Sequence, residues 1–289
     1  LKYYKPKQYA VYSSSQRFDL AISQFGYVHH HRSSDICIII KNQIMKKVLI
    51  TGANKSIGYE TARQLLQNGY YVYLGTRSLE NGQEAVEKLK AEGLTEVEAI
   101  QIDIANQDSV NAARNEIGKK TDVLDVLINN AGMSGGMPQA PTSASVDIMH
   151  DVFNVNLYGA VRTTQAFIDL LKKSARPCIV NVTSGMASMT MCSDPEFAYR
   201  DYVGGIYSPS KAALNMYTVA LALELRDTAF RVNAVDPGFT ATDFNNHRGT
   251  GTVEAAGQRV AKYAMIGEEG PTGKFISEEF NPETGEIGW

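Results

Sequence analysis

From Lys46 onward, short runs rich in β-branched residues alternate with amphipathic stretches of helical period, and that alternation restricts what the chain can fold into. Strands are expected over 47–51, 70–74, 97–102, 124–128, 178–183, 230–235 and near 273–277. Helical patterns cover 57–68, 80–92, 107–119, 146–173, 207–226 and 252–264. The runs from Val123 to Ile128 and from Cys178 to Val182 are apolar almost throughout, as strands covered on both faces must be. Strand–helix alternation of this length predicts an α/β chain with a doubly wound parallel sheet and right-handed crossovers.

The first 44 residues do not share the pattern. They carry six Lys or Arg against two Asp or Glu, and three consecutive histidines, His29 to His31. Without them the net charge moves from −3 to −7. Met45 runs at once into the first strand, so residues 1–44 are expected to be a disordered or non-native extension and residues 45–289 a single Rossmann-like domain. No Cys or carboxylate has ligand spacing to the histidines, so no metal site is expected. The net charge gives no reason to expect nucleic acid. No apolar run reaches bilayer length, so no membrane association is expected. Three scattered cysteines suit reduced thiols and a cytoplasmic setting.

In such a sheet ligands sit beyond the carboxyl ends of the strands. After the first strand, Gly52, Asn54, Lys55, Ser56, Ile57 and Gly58 form a turn into a helix, where backbone N–H groups and the helix dipole suit a pyrophosphate. The same spacing also suits a plain strand-to-helix turn. The second strand ends in Gly75-Thr76-Arg77, with no acid between Leu74 and Ser78. An acid there would take a ribose 2′-hydroxyl, whereas Arg77, with Lys55 nearby, favours a 2′-phosphate and hence NADP(H) over NAD. Asp103 and Ile104 follow the third strand, placed to meet an adenine, although an Asp there also caps helices. Asn130, Ala131 and Gly132 follow the fourth, with room for close backbone approach and amides able to tie loops together.

Asn156 interrupts a long helical pattern that asparagine does not favour. The fifth strand ends at Ser184. Some 23 positions on, Tyr207-Ser208-Pro209-Ser210-Lys211 opens a helix, with Pro209 confined to its first turn and Tyr207 and Lys211 on one face. An ammonium beside a phenol is expected to lower the phenol pKa and let Tyr207 exchange a proton near neutrality.

Taken in order, the 51–58 turn, the 129–132 segment, Asn156, Ser184, Tyr207 with Lys211, and Pro237-Gly238 with Thr240 and Thr242 resemble the short-chain dehydrogenase/reductase family. Lys55, Arg77 and Leu124-Asp125-Val126-Leu127 look most like its NADPH-dependent carbonyl reductases. The resemblance implies that Tyr207 is the general acid or base and that Ser184 binds the reacting oxygen. It implies that Lys211 holds the nicotinamide ribose and lowers the Tyr207 pKa, and that Asn156 anchors a water of the proton relay. Pro237, Gly238 and Thr240 would cradle the nicotinamide. Two departures stand out. Ser56 replaces the usual middle glycine of the turn, and the span from Ser184 to Tyr207 is long, which places a loop around 194–201 at the substrate mouth. Met133, Met137, Met186, Met189 and Met191 suggest an apolar, adaptable pocket.

The expected function is NADPH-dependent hydride transfer to or from a small carbonyl or alcohol substrate, in a monomer or homo-oligomer. An NAD-linked alcohol dehydrogenase, or an NADPH-binding sensor or scaffold without turnover, stands as the alternative. A complete set of Asn156, Ser184, Tyr207 and Lys211 favours the enzyme. Deleting residues 1–44 is expected to leave cofactor affinity unchanged in a binding titration; a large loss would refute the domain boundary.

Overall fold

A computed structural model describes residues Met45–Trp289; the expectations for residues 1–44, including the histidine run, lie outside them. Eight strands form one sheet in the order β3-β2-β1-β4-β5-β6-β7-β8. They are β1 (Lys47–Thr51), β2 (Tyr71–Thr76), β3 (Val97–Gln101), β4 (Val126–Asn129), β5 (Cys178–Val182), β6 (Arg231–Val235), β7 (Phe275–Ile276) and β8 (Glu286–Ile287). All pair in parallel except β8, which returns antiparallel on β7 and was not expected from the sequence. A two-residue strand shows too little alternation to register as one.

Period-two alternation sends successive strand residues to opposite faces, and here both faces are apolar. Val48, Ile50, Val126, Ile128 and Val180 pack under α1 (Ser56–Gln67), α2 (Leu79–Ala91) and α8 (Val253–Ala264). Leu49, Leu127 and Ile179 pack under α3 (Gln107–Lys120), α5 (Ala160–Leu171) and α7 (Tyr207–Glu224). The remaining helices are α4 (Val146–Phe153) and the single-turn α6 (Met189–Cys192). The helix starts follow capping chemistry: Ser78, Asn106, Ser145 and Thr252 each accept from a first-turn N–H of α2, α3, α4 and α8. The N-cap position of α1 is Lys55, with no side-chain cap at all.

One expected helix is divided. The pattern over 146–173 becomes α4, a π-helical turn at Asn154–Gly159, and α5. Periodicity carries across the turn because α4 and α5 remain nearly continuous, so only the asparagine marked the break.

The strand order reverses between β1 and β4, which opens a crevice at their carboxyl ends. The glycines of the 51–58 turn are sterically required. A Cβ at Gly58 would stand 2.5 Å from the Asn130 amide nitrogen and from the Gly52 carbonyl, and Gly52 itself has φ +65°. Ser56 holds φ +53°, in the left-handed region where a side chain costs about 1–2 kcal/mol. Replacing Ser56 by Gly is expected to stabilise the fold by about 1 kcal/mol in urea denaturation. An unchanged midpoint would mean that the serine side chain compensates its own strain.

Candidate functional site

The carboxyl ends of β1, β4, β5 and β6 carry the residues singled out above. At β4, Asn130 Nδ2 donates to the Thr51 and Gly52 carbonyls at 2.8 and 3.0 Å, and the Asn130 and Ala131 N–H groups donate to Thr51 Oγ1. These amides do tie the β4 loop to the glycine turn. Gly132 follows with no room to spare: a Cβ there would lie 3.2 Å from Asn156 Oδ1 and 3.4 Å from Lys211 Nζ. Three of the expected residues therefore converge on one point.

Asn156 sits in the π turn, 1% exposed. Its amide donates to the Met133 carbonyl and to Ser210 Oγ, both at 2.9 Å, and accepts from the Met133 N–H at 2.8 Å. The helix distortion, a kind concentrated at functional sites, lets this side chain reach both the β4 loop and α7. Gln139 makes a second tie that the sequence did not reveal. It is buried, and its Oε1 accepts from the Tyr207 N–H at 2.9 Å while its amide donates to the Ser134 and Gly136 carbonyls. A glutamine in a loop carries no signal for that role.

Tyr207 opens α7 and Ser184 follows β5, its hydroxyl accepting from the Met186 N–H and lying close enough to the Tyr207 phenol to influence it. Lys211 is buried and donates from Nζ to the Val182 carbonyl at 2.7 Å. Burial lowers its pKa to about 8. The expectation that Lys211 depresses the Tyr207 pKa is corrected in this structure: the phenol is raised, first by burial and then by the Asp236 carboxylate, with Ser184 pulling weakly the other way.

The cofactor positions are more mixed. Arg77 is exposed at the end of β2 and makes no salt bridge among the described residues. Lys55 is not free beside it, since its Nζ pairs with Asp243 at 2.8 Å, both groups more than half exposed. Asp103 Oδ1 accepts from the Ala105 N–H at 3.0 Å, so one of its oxygens serves the local turn. Ile104 is buried against Gly159 of the π turn and has little surface left for a ring. Thr240 Oγ1 donates back to the Gly238 carbonyl, and Arg259 holds the Pro237 carbonyl at 2.8 Å. Ala131, Asn54 and Ile57 stay partly open on the crevice side of the sheet. The uncapped α1 N-terminus at the sheet's switch point, with Lys55 and Arg77 alongside, fits an anionic dinucleotide.

The long loop after Ser184 is anchored by aromatic packing. Tyr199 lies 5.3 Å from Phe239 and 5.5 Å from Phe280 between ring centroids, and Phe197 lies 5.3 Å from Phe280. Phe244 meets the Tyr207 ring edge-on at 5.5 Å. Glu279 joins the same parts, accepting from Tyr199 Oη and from the Phe239 N–H at 2.7 Å each. Met137 and Met189 are among the most exposed apolar residues, whereas Met133, Met186 and Met191 are half-buried. Among the described residues no helix is long and apolar enough to cross a membrane, and no group of three or more His, Cys, Asp or Glu is placed to hold a metal ion.

The fold and this arrangement define an oxidoreductase of nicotinamide-dependent type, and comparison with known proteins places it. The family described as short chain dehydrogenase matches residues 46–252, and the chain belongs to that family. It is 30% identical to a (+)-neomenthol dehydrogenase of Capsicum annuum, over 82% of this chain and 96% of the relative. Its fold is similar to salutaridine reductase from Papaver somniferum, with TM-score 0.69 and 28% identity over 80% of this chain and 99% of that one. It is also similar to an NADPH-bound carbonyl reductase from chicken fatty liver, with TM-score 0.71 and 26% identity over 85% and 99% of the two chains.

The Lys211 value gives a test on the protein without cofactor. Between about pH 8 and the ordinary lysine value of about 10.4, the unfolded chain binds a proton that folded Lys211 has lost, so this group makes stability rise with pH in that window. Unfolding free energies of the parent and of Lys211→Met, measured from pH 7.5 to 10, are expected to differ in slope with that sign. Parallel curves would show that Lys211 is not desolvated.

Proposed function

We propose that the domain over residues 45–289 is an NADP(H)-dependent reductase of a small carbonyl substrate, working reversibly on the corresponding alcohol. The observation that carries the reading is the placing of Ser184 just beyond β5 beside Tyr207 at the start of α7, with Lys211 buried one helical turn behind. The nicotinamide, when bound, supplies or accepts the hydride. Ser184 holds the substrate oxygen and Tyr207 delivers its phenolic proton to that oxygen as charge develops. With its pKa raised, Tyr207 keeps its proton throughout the neutral range, which suits the acid role and hence reduction. Asn156 positions α7 against the β4 loop through Ser210 and Met133. Lys211 would hold the ribose hydroxyls of the cofactor, and Asn54, Ser56, Ile57 and Gly58 would present the α1 terminus to its pyrophosphate.

Arg77 supports NADP(H), as does the likeness to a carbonyl reductase solved with NADPH bound. The pairing of Lys55 with Asp243 favours the second reading, an NAD-linked alcohol dehydrogenase, because it removes one of the two cations expected at a 2′-phosphate. A cytoplasmic enzyme, monomeric or homo-oligomeric, is part of the proposal, as is a dispensable segment over residues 1–44.

Oxidation of NADPH and NADH is to be followed against a panel of aldehydes, ketones, diketones and quinones. Turnover with NADPH is expected to exceed that with NADH. Arg77→Asp is expected to reduce the NADPH preference by about ten- to a hundredfold, the equivalent of a lost charge-assisted contact. An unchanged preference supports the NAD-linked reading. Tyr207→Phe is expected to abolish turnover while cofactor still binds.

A further inference from the structure

The segment after β6 closes on itself. The Gly251 N–H donates to the Phe239 carbonyl at 2.8 Å, and the Ala241 N–H donates to the Gly251 carbonyl at 3.0 Å. A Cβ at Gly249 would collide with the Thr240 carbonyl carbon, so the two limbs are pressed together. Within the tip, the His247 N–H donates to the Thr242 carbonyl and Asn245 Nδ2 to the Thr240 carbonyl, both at 2.9 Å. The loop over 240–251 is therefore one bonded body, and two consecutive residues reach out of it. Phe244 meets the Tyr207 ring, and Asp243 Oδ2 accepts from Lys55 Nζ at 2.8 Å, 188 positions away in the chain. In the sheet β1 and β6 are separated by β4 and β5, about 14 Å at the usual strand spacing. An ion pair that joins the turn after β1 to the loop after β6 thus spans the carboxyl ends of β4 and β5, where a dinucleotide at the switch point has to lie.

We propose that Asp243 is a specificity-determining residue for the cofactor: it competes with the ribose 2′-phosphate for Lys55, so that a 2′-phosphorylated dinucleotide frees the loop over 240–251 and an unphosphorylated one leaves it strapped. The proposal rests on the NADP(H) reading above. The contact has the chemistry of an exchangeable one. Both side chains are more than half exposed, and an exposed ion pair is weak. A phosphate brings more charge to the ammonium than a carboxylate does, and more acceptor oxygens. Asp243 is not stranded when Lys55 leaves, because its Oδ1 lies 3.0 Å from His247 Nε2 within the same loop. Lys55 heads α1 just beyond β1, and Arg77 follows β2, the strand paired with β1, so one phosphate can draw on cations from adjoining strand ends. Because the loop is one body, freeing Asp243 also lets Phe244 shift against Tyr207, and the choice of cofactor reaches the proposed proton donor.

The test uses the full chain and reads the loop directly. Arg248 is exposed within the loop, so the rate of trypsin cutting after it reports release of the strap. Asp243→Asn and Lys55→Met are expected to be cut there about three- to fivefold faster than the parent, the weight of one exposed ion pair. Adenosine 2′,5′-bisphosphate, which carries the 2′-phosphate without the nicotinamide half, is expected to speed cutting of the parent toward the variant rate, and 5′-AMP to leave it unchanged. In equilibrium titrations at low salt, Asp243→Asn is expected to tighten NADPH by about three- to fivefold and leave NADH in place, and to tighten neither in a Lys55→Met background. Equal tightening of NADPH and NADH overturns the proposal, since Lys55 then meets a phosphate common to both. Cutting at Arg248 that neither the substitutions nor the bisphosphate alter overturns it as well. If NADPH and the bisphosphate bind the parent no tighter than NADH and 5′-AMP, the reading beneath the proposal falls; if both bind tighter and cutting is unmoved, the proposal falls alone.

Discussion

The carboxyl end of the sheet depends on buried asparagine amides that hold β4, β5, α5 and α7 in register. Asn129 Nδ2 donates to Asn181 Oδ1 at 2.8 Å and to Thr164 Oγ1 at 3.1 Å, and Asn181 Nδ2 donates to Thr218 Oγ1 at 2.8 Å. Thr183 Oγ1 adds a bond of 2.7 Å to Asn215 on α7. Apolar packing alone would let α7 slide by fractions of an ångström at little cost, because hydrophobic burial is non-directional. A buried amide is directional, and breaking it strands a polar atom at a cost of about 1–3 kcal/mol. Since Tyr207 and Lys211 ride on α7 and Ser184 follows β5, this network sets the separation of the groups proposed to meet the substrate.

The loops above that platform are held by the same kind of bond. Asn156 clamps the Met133 backbone on both its N–H and its carbonyl, and Gln139 grips the first N–H of α7. A loop end pinned through main-chain groups keeps its position whatever side chains it displays. The aromatic cluster of Phe197, Tyr199, Phe239 and Phe280 does for the long loop what the amides do below, with Glu279 supplying the direction that stacked rings lack.

Much of the platform was legible in the sequence because it follows from period and composition. All seven expected strands fall within two residues of their observed bounds. The glycine turn, Asn130, Ser184 and the Tyr207 to Lys211 spacing were visible because each is an unusual residue at a strand end or helix start. The π turn was half visible: Asn156 marked it, but the hydrophobic pattern of α4 and α5 runs through it undisturbed. Gln139, Asp236 and Glu279 were not visible. Each acts on segments distant in sequence, Gln139 on Tyr207 and Asp236 on Ser277, and no local spacing encodes such a contact. The Val182 carbonyl that accepts from Lys211 lies 29 positions away and was equally out of sight.

The two buried charges of the site show how it is prepared for reaction. If Lys211 and Asp236 formed an ion pair, the lysine would rise and the carboxyl would fall. Both instead move toward neutrality, to about 8 and about 6, so burial outweighs any mutual attraction. Each is held by fixed neutral dipoles: a strand carbonyl for the ammonium, a backbone N–H and a hydroxyl for the carboxylate. Dipoles fixed by the fold need no reorganisation when charge develops on a substrate, whereas a counter-ion would follow that charge and screen it. Keeping the charges apart, each on its own neutral support, leaves the field around Tyr207 and Ser184 fixed by the fold.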